Sequence, residues 1–153
     1  MKVLSIKPPW AYFIVYGVHY GVAVDNPNGS QSVVDSGKVI LKNIENRTWP
    51  LPPGMKGQRI MVHVGKKEDP IEAVLDLTVK RIGLPFGPIM LSYSTKLPRG
   101  AIIGEVDIVG CVTDTDNPWF VGPYGFVLAN PKAYEVPIPY RGRLGFFDCE
   151  AKE

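Results

Sequence analysis

The run LKNIENRTWP, residues 41–50, gathers Lys42, Glu45, Arg47 and Trp49 into one short stretch. In extended backbone alternate side chains share a face, so Glu45, Arg47 and Trp49 are expected to point the same way. A carboxylate two positions from a guanidinium can fix that flat fork against a phosphate, a carbonyl or a base edge. An indole on the same face can stack on the same ligand. Lys42 begins the segment and reaches in from the turn. The plainer account is a surface Glu–Arg pair beside a core tryptophan, an arrangement that contributes only about 0–1 kcal/mol.

The remaining candidates are weighed the same way. Lys42 and Glu45 are the catalytic candidates if the protein turns over a substrate. His63, closing an apolar strand, is a weaker one, since such a histidine is more often hydrogen-bonded within the fold. Metal-independent cleavage of RNA would ask Lys42, Glu45, Arg47 and His63 to converge on a phosphate. Trp10 and Trp119 are candidate ligand contacts, Trp119 because it sits in the turn-rich loop DTDNPWFVGPYG, whereas aromatic residues in a small sheet usually fill its core. Glu105 and Asp107 read as a solvated strand face. Lys66, Lys67, Arg141 and Arg143 read as a basic rim or as scattered surface charge.

Other chemistries lack their signatures. There is no GxxxxGK[ST] loop, no GxGxxG after a strand, no HExxH and no GxSxG. Cys111 and Cys149 are far apart, and His19 and His63 complete no ligand spacing with them, so neither a metal nor any other cofactor is expected. The formal net charge of +2 argues against a globally basic nucleic-acid binder while leaving room for a local patch. No apolar run approaches the roughly 20 residues of a membrane span, and MKVLSIKPPW is too short in apolar residues for a secretion signal. A cytoplasmic protein with no membrane partner is the expectation.

The elements that must position these residues follow from local pattern. A chain of 153 residues is one domain by size, and its 16 glycines and 15 prolines favour a turn-rich, mixed architecture. KVLSIK (2–7) alternates as a strand, and PPWAYFIVYG (8–17) reads as a short buried helix stopped by Gly17. Residues 18 to about 40 contain the turn cluster DNPNGSQS and read as a surface hairpin or loop. QRIMVHVG (58–65) is a strand. Residues 68–85 are the best helix, with Asp69 as N-cap, Pro70 in the first turn, Glu72 closing a capping box, and Ile71, Val74, Leu75, Thr78 and Ile82 on its core face. Residues 101–113 are the best strand, with Ile102, Val106, Ile108 and Val112 on one face. YGFVLANPKAYEVP and LGFFDCE supply closing strands. The class is α+β, a small and strongly bent sheet or barrel.

The segments LSIKPPWAYFIVYG, KNIENRTW, IMVHVGKK, LPRGAIIGEVDIVGCV, PWFVGPYGFVLANP and GRLGFFD follow one another in an order that resembles the ASCH domain family, bacterial or phage-type, over nearly the whole chain. The pairing of S-I-x-x-P-W-A with K-x-x-E-x-R-x-W carries the resemblance. It implies a single domain over 1–153 with a PUA-like fold, a bent β-barrel with flanking helices, and makes residues 18–40 an insertion that is a candidate surface for a protein partner. It further implies a cleft beside the first helix, lined by Lys42, Glu45, Arg47 and Trp49 with Trp10, and a ligand that is RNA or a modified nucleoside. Family members with ribonuclease or acylated-nucleoside amidohydrolase activity make a small hydrolase the alternative. The amidohydrolase motif reads K-x-x-T-x-R, and its hydroxyl position is Glu45 here. A carboxylate serves as a base but is a poor acceptor for an acyl group.

Overall fold

The period-two pattern of residues 2–6 is realised in a computed structural model of the chain, which describes residues 1–84 and 97–150. In β1 (Lys2–Ile6), Leu4 and Ile6 enter the main core on one face of the sheet, while Val3 joins a smaller cluster with Met61, Ile102, Tyr134 and Phe147. The other strands are β2 (Val18–Asp25), β3 (Gln31–Ile40), β4 (Ile44–Arg47), β5 (Arg59–Val64), β6 (Ala101–Val112), β7 (Tyr124–Pro139) and β8 (Phe146–Asp148). Six of them form one sheet in the order β4-β7-β6-β5-β1-β8. β1 pairs with β5 in parallel, and the other pairs among the described strands of this sheet are antiparallel. The sheet is curled into a half-barrel whose two edges are β4 and β8, and strand outweighs helix, within an α+β architecture.

Helix α1 (Trp10–Val15) is nearly all apolar, and its buried residues Ala11, Tyr12, Ile14 and Val15 pack onto Ile60, Val62, Ile103 and Phe126. It stops where expected. Gly17 adopts φ +86°, and a Cβ there would fall 2.2 Å from Val39, so both conformation and space exclude larger residues. The following stretch is indeed a hairpin. Strands β2 and β3 pair as a separate two-stranded sheet, turned at Asn26–Gly29, with Val18 and Ile40 rooting it beside Phe13 and Ile44. Farther out, Val24, Val33 and Val34 are exposed, as is Val39 near the root.

The helix expected over 68–85 is shorter and of two kinds, and residue 85 lies outside the described residues. A single α-helical stretch, α2 (Ile71–Leu75), passes into a π-helical turn, Asp76–Arg81. Asp69 is not its cap, because Pro70 occupies that position and no side chain caps it. The expected core face also changes. Val74, Leu77 and Thr78 are buried, while Ile71 and Leu75 are exposed. Over Asp76–Arg81 the i→i+5 bonds of the π turn rotate successive side chains less than an α-helix does, which accounts for Leu77 joining the expected Thr78 on the buried face.

In β6, register shifts between Ile102 and Gly104, between Glu105 and Asp107 and between Ile108 and Gly110 break the simple alternation. Ile103, Val106 and Ile108 face the main core, Ile102 faces the opposite cluster, and Val112 packs near Trp119. Glu105, expected on a solvated face, is buried. It accepts hydrogen bonds from Arg59 Nε and from the Tyr134 hydroxyl, and Arg59 also reaches Asp107 at 2.9 Å. No described helix is long and apolar enough to cross a membrane.

Candidate functional site

Strand β4 is the sheet edge that carries the charged run. Its start is fixed by two backbone hydrogen bonds, Lys42 N–H to the Phe13 carbonyl at the end of α1 and Leu128 N–H to the Asn43 carbonyl. Alternation then divides its side chains. Ile44 goes into the core beside Phe13, and Glu45 and Arg47 turn together toward the space between β4, α1 and α2. That space is a cavity of about 650 Å³, the scale of a small-molecule site.

The three charges of the run meet in this wall. Glu45 is 6% exposed and Lys42 3%. One carboxylate oxygen of Glu45 accepts from Arg47 Nε at 3.0 Å and the other lies 3.5 Å from Lys42 Nζ. Lys42 also donates to the Ile44 carbonyl. Burial pushes the Lys42 pKa down, Glu45 opposes that shift, and Arg47 adds to it. The Arg47 fork is held a second time, by Nη2 donating to the Ser5 carbonyl at 2.7 Å. Each cation lies against an indole, Lys42 Nζ 5.7 Å from the Trp10 ring centre and Arg47 Cζ 5.7 Å from that of Trp49. Trp10 is oriented in turn, its Nε1–H donating to Asp69 at 2.6 Å, and Asp69 is tied by its own N–H to the Pro8 carbonyl. Trp49 is wedged edge-on against Phe126 and Phe146.

Trp10, Lys42, Glu45, Arg47 and Trp49 thus line one cavity. Trp119 does not. It is 3% exposed and belongs to the core cluster with Phe13, Ile44 and Val74. The turn-rich loop suggested exposure, but Asn117 folds back to accept the Trp119 N–H at 2.9 Å and tucks the indole inward. His63 does not line the cavity either. It is 2% exposed, with its ring nitrogens bonded to the Ser5 hydroxyl and the Tyr140 carbonyl. Of the expected basic rim, only Arg143 reaches the cavity, joined by Lys7 and Arg81; Lys66, Lys67 and Arg141 do not. Thr48, just beyond β4, lies at the lip. Among the described residues no cluster of His, Cys, Asp or Glu is arranged to hold a metal ion. No family model matches the chain.

Several lining residues were not among the expected site residues. Ser5 and Asp69 are distant in sequence and reach the site through the β1–α1 crossing and the start of α2. Asn46, between the two charges, holds the opposite wall. Its Nδ2 donates to the Trp119 carbonyl at 3.0 Å, and its Oδ1 accepts from Val121 N–H at 2.7 Å and Gly122 N–H at 3.0 Å. Replacing it with alanine strands those loop groups, each costing on the order of 1 kcal/mol when re-solvated in part. With three such groups, we expect Asn46→Ala to lose about 3 kcal/mol of stability in urea unfolding. A midpoint equal to wild type would show that the loop does not depend on this side chain.

Proposed function

We propose that the protein binds RNA or a modified nucleoside in the cavity beside α1. The observation that carries this is the Lys42–Glu45–Arg47 cluster in the cavity wall, with Lys42 and Glu45 buried and Arg47 partly exposed, flanked by two indoles. A buried ammonium with lowered pKa gains from a carbonyl or phosphate acceptor, because a hydrogen bond to the charged form offsets its desolvation. Glu45 sets an acceptor beside that donor, the pairing that a base edge presents in complement. Trp10 and Trp49 offer faces for stacking. Lys7, Arg81 and Arg143 at the cavity's border suit a phosphate or backbone. On this reading the curled sheet is a PUA-like fold and the chain an ASCH-type domain with the β2–β3 hairpin as its insertion.

A metal-independent hydrolase is the second reading. It is favoured by Lys42, whose burial makes a neutral amine more accessible as a base beside Glu45. One experiment addresses both readings. Modified nucleosides and short RNAs are titrated against the protein, with bound ligand and any product identified by mass spectrometry. Binding without turnover is expected, and it should weaken at least tenfold in Glu45→Gln, about 1.4 kcal/mol. Product formed by wild type and lost in Glu45→Gln selects the hydrolase. No binding by any probe removes both readings.

A further inference from the structure

Strands β2 and β3 form a sheet of their own, and among the described strands β2 pairs only with β3. A two-stranded hairpin standing alone is marginal in water and gains from a further strand. Its outer edges present backbone N–H and C=O groups to whatever lies beside them.

The two edges differ. On β3, Ser36, Gly37 and Lys38 stand against Tyr20 alone, because Asp35 pairs with Gly21 and Val39 with His19. Gly37 at φ +74° sets this bulge, with two local hydrogen bonds, Gly37 N–H to Asp35 Oδ1 at 2.8 Å and Lys38 N–H to Ser36 Oγ at 3.2 Å. A bulge and an exposed lysine are two devices that keep foreign strands off a sheet edge. The six-stranded sheet protects its edges by shortness, β4 having four residues and β8 three. β2 has eight residues, VHYGVAVD, with no Lys, Arg or Pro, and it pairs one-for-one from Gly21 to Asp25. Its outer edge carries none of these devices.

Set antiparallel against itself, β2 is self-complementary. With Val22 opposite Val22 of a second copy, Gly21 faces Ala23, Tyr20 faces Val24 and His19 faces Asp25. A carboxylate then meets an imidazole that can donate to it, and no like charges are opposed. Moving the register by one pleat sets Asp25 against Gly17 or Gly21 and loses that match. Tyr20, Val22 and Val24 share a face. Val34 pairs with Val22 in each copy, so a row of four valines crosses the shared sheet and continues apolar surface that the single chain exposes at Val24 and Val34. The eight residues of β2 span about 26 Å, which leaves the two main sheets at opposite ends of the joined hairpins.

We propose that the protein associates with a second copy of itself through the outer edge of β2, the two hairpins joining into one four-stranded antiparallel sheet about a two-fold axis at Val22. Such a contact is isologous and closed, so it stops at the dimer. Backbone hydrogen bonds supply the attraction and the alternate side chains the register. The inference holds whatever ligand the cavity takes.

Sedimentation equilibrium of the full chain should show a mass that rises with concentration toward two chains. Val22→Lys sets two ammonium groups against each other at the axis and should weaken association at least about tenfold. Cross-linking reads the contact even where that variant fails to fold. In a Cys111→Ser background, which removes the exposed thiol, a short bis-maleimide should join Val22→Cys to its copy, the opposed Cβ atoms lying about 5 Å apart. Val33→Cys is exposed too, but it lies on the far strand and should stay unjoined. A single-chain mass for wild type at every concentration overturns the proposal. So does a dimer that folded Val22→Lys leaves intact, or one in which Val33→Cys joins as readily as Val22→Cys, since the contact then lies elsewhere.

Discussion

Glu45→Gln should be among the most damaging single substitutions in the protein, costing about 3–5 kcal/mol, because it removes the countercharge of a lysine that cannot reach bulk water. Total stabilities of domains this size run to about 5–15 kcal/mol, so the loss is a large share and should lower the melting temperature by roughly 6–20 °C. Lys42→Met is the informative contrast. Glu45 then keeps Arg47 at 3.0 Å, and a methionine fills the volume of the lysine stem, so about 1 kcal/mol or less is expected. The pH dependence has a definite sign. Burial already places the folded Lys42 pKa below 10.5, the value in an exposed chain, and Glu45 is the main influence resisting that. Removing the carboxylate lowers it further. Where the variant has lost the Lys42 proton and wild type still holds it, the unfolded variant binds more protons than the folded one, and the variant's stability rises with pH relative to wild type. The deficit should therefore narrow on going to alkaline pH in urea unfolding of both proteins. A deficit below about 0.5 kcal/mol, or one that widens with pH, would mean that Glu45 does not compensate Lys42.

That cluster was legible in sequence because it is local. The i, i+2 spacing of Glu45 and Arg47 in extended backbone already implies a shared face, and the structure keeps them on it, with Lys42 reaching in from the turn before β4. The first strand, the α1 stop at Gly17 and the hairpin after it were legible for the same reason, since each depends on a few adjacent residues. What failed depends on partners far away. Trp119 looked like a loop aromatic, and only the Asn117 turn and the pocket between Phe13 and Val74 make it core. Asp69 has the residue type and place of an N-cap, yet its carboxylate is recruited by Trp10 and Lys7, about sixty residues earlier in the chain. Glu105 alternates onto what should be a wet face, but Arg59 and Tyr134 cover it. In the segment Ile71–Arg81 the expected Val74 and Thr78 are buried, but Ile71 and Leu75 of α2 are exposed, and Leu77, in the π turn, is a buried residue the α-period face missed.

Arg47→Ala should show that the site and the closure of the sheet share one side chain. Strand β8 pairs with β1 only from Lys2 to Leu4, so the Ser5 carbonyl lies just past the end of that ladder. Arg47, on the opposite edge strand, supplies its donor at 2.7 Å and so bridges the seam of the half-barrel. The same guanidinium braces Glu45 and packs over Trp49. Hydrogen bonds to a charged partner contribute about 1.5–3 kcal/mol each. Part of that returns in the variant, because Glu45 keeps Lys42 and water can reach the vacated seam, so a net loss of about 3 kcal/mol is expected. Arg47→Lys restores the charge but not the fork, and one ammonium cannot hold Glu45 and the Ser5 carbonyl in the same planar geometry. It should recover about half of the stability and little of the ligand affinity. Hydrogen exchange at Gly65, whose N–H bonds to the Ile6 carbonyl at the end of β1, should quicken in Arg47→Ala while exchange within β6 follows only the global loss. If affinity falls and exchange at Gly65 tracks β6, Arg47 serves the ligand alone and the seam is held by the surrounding core.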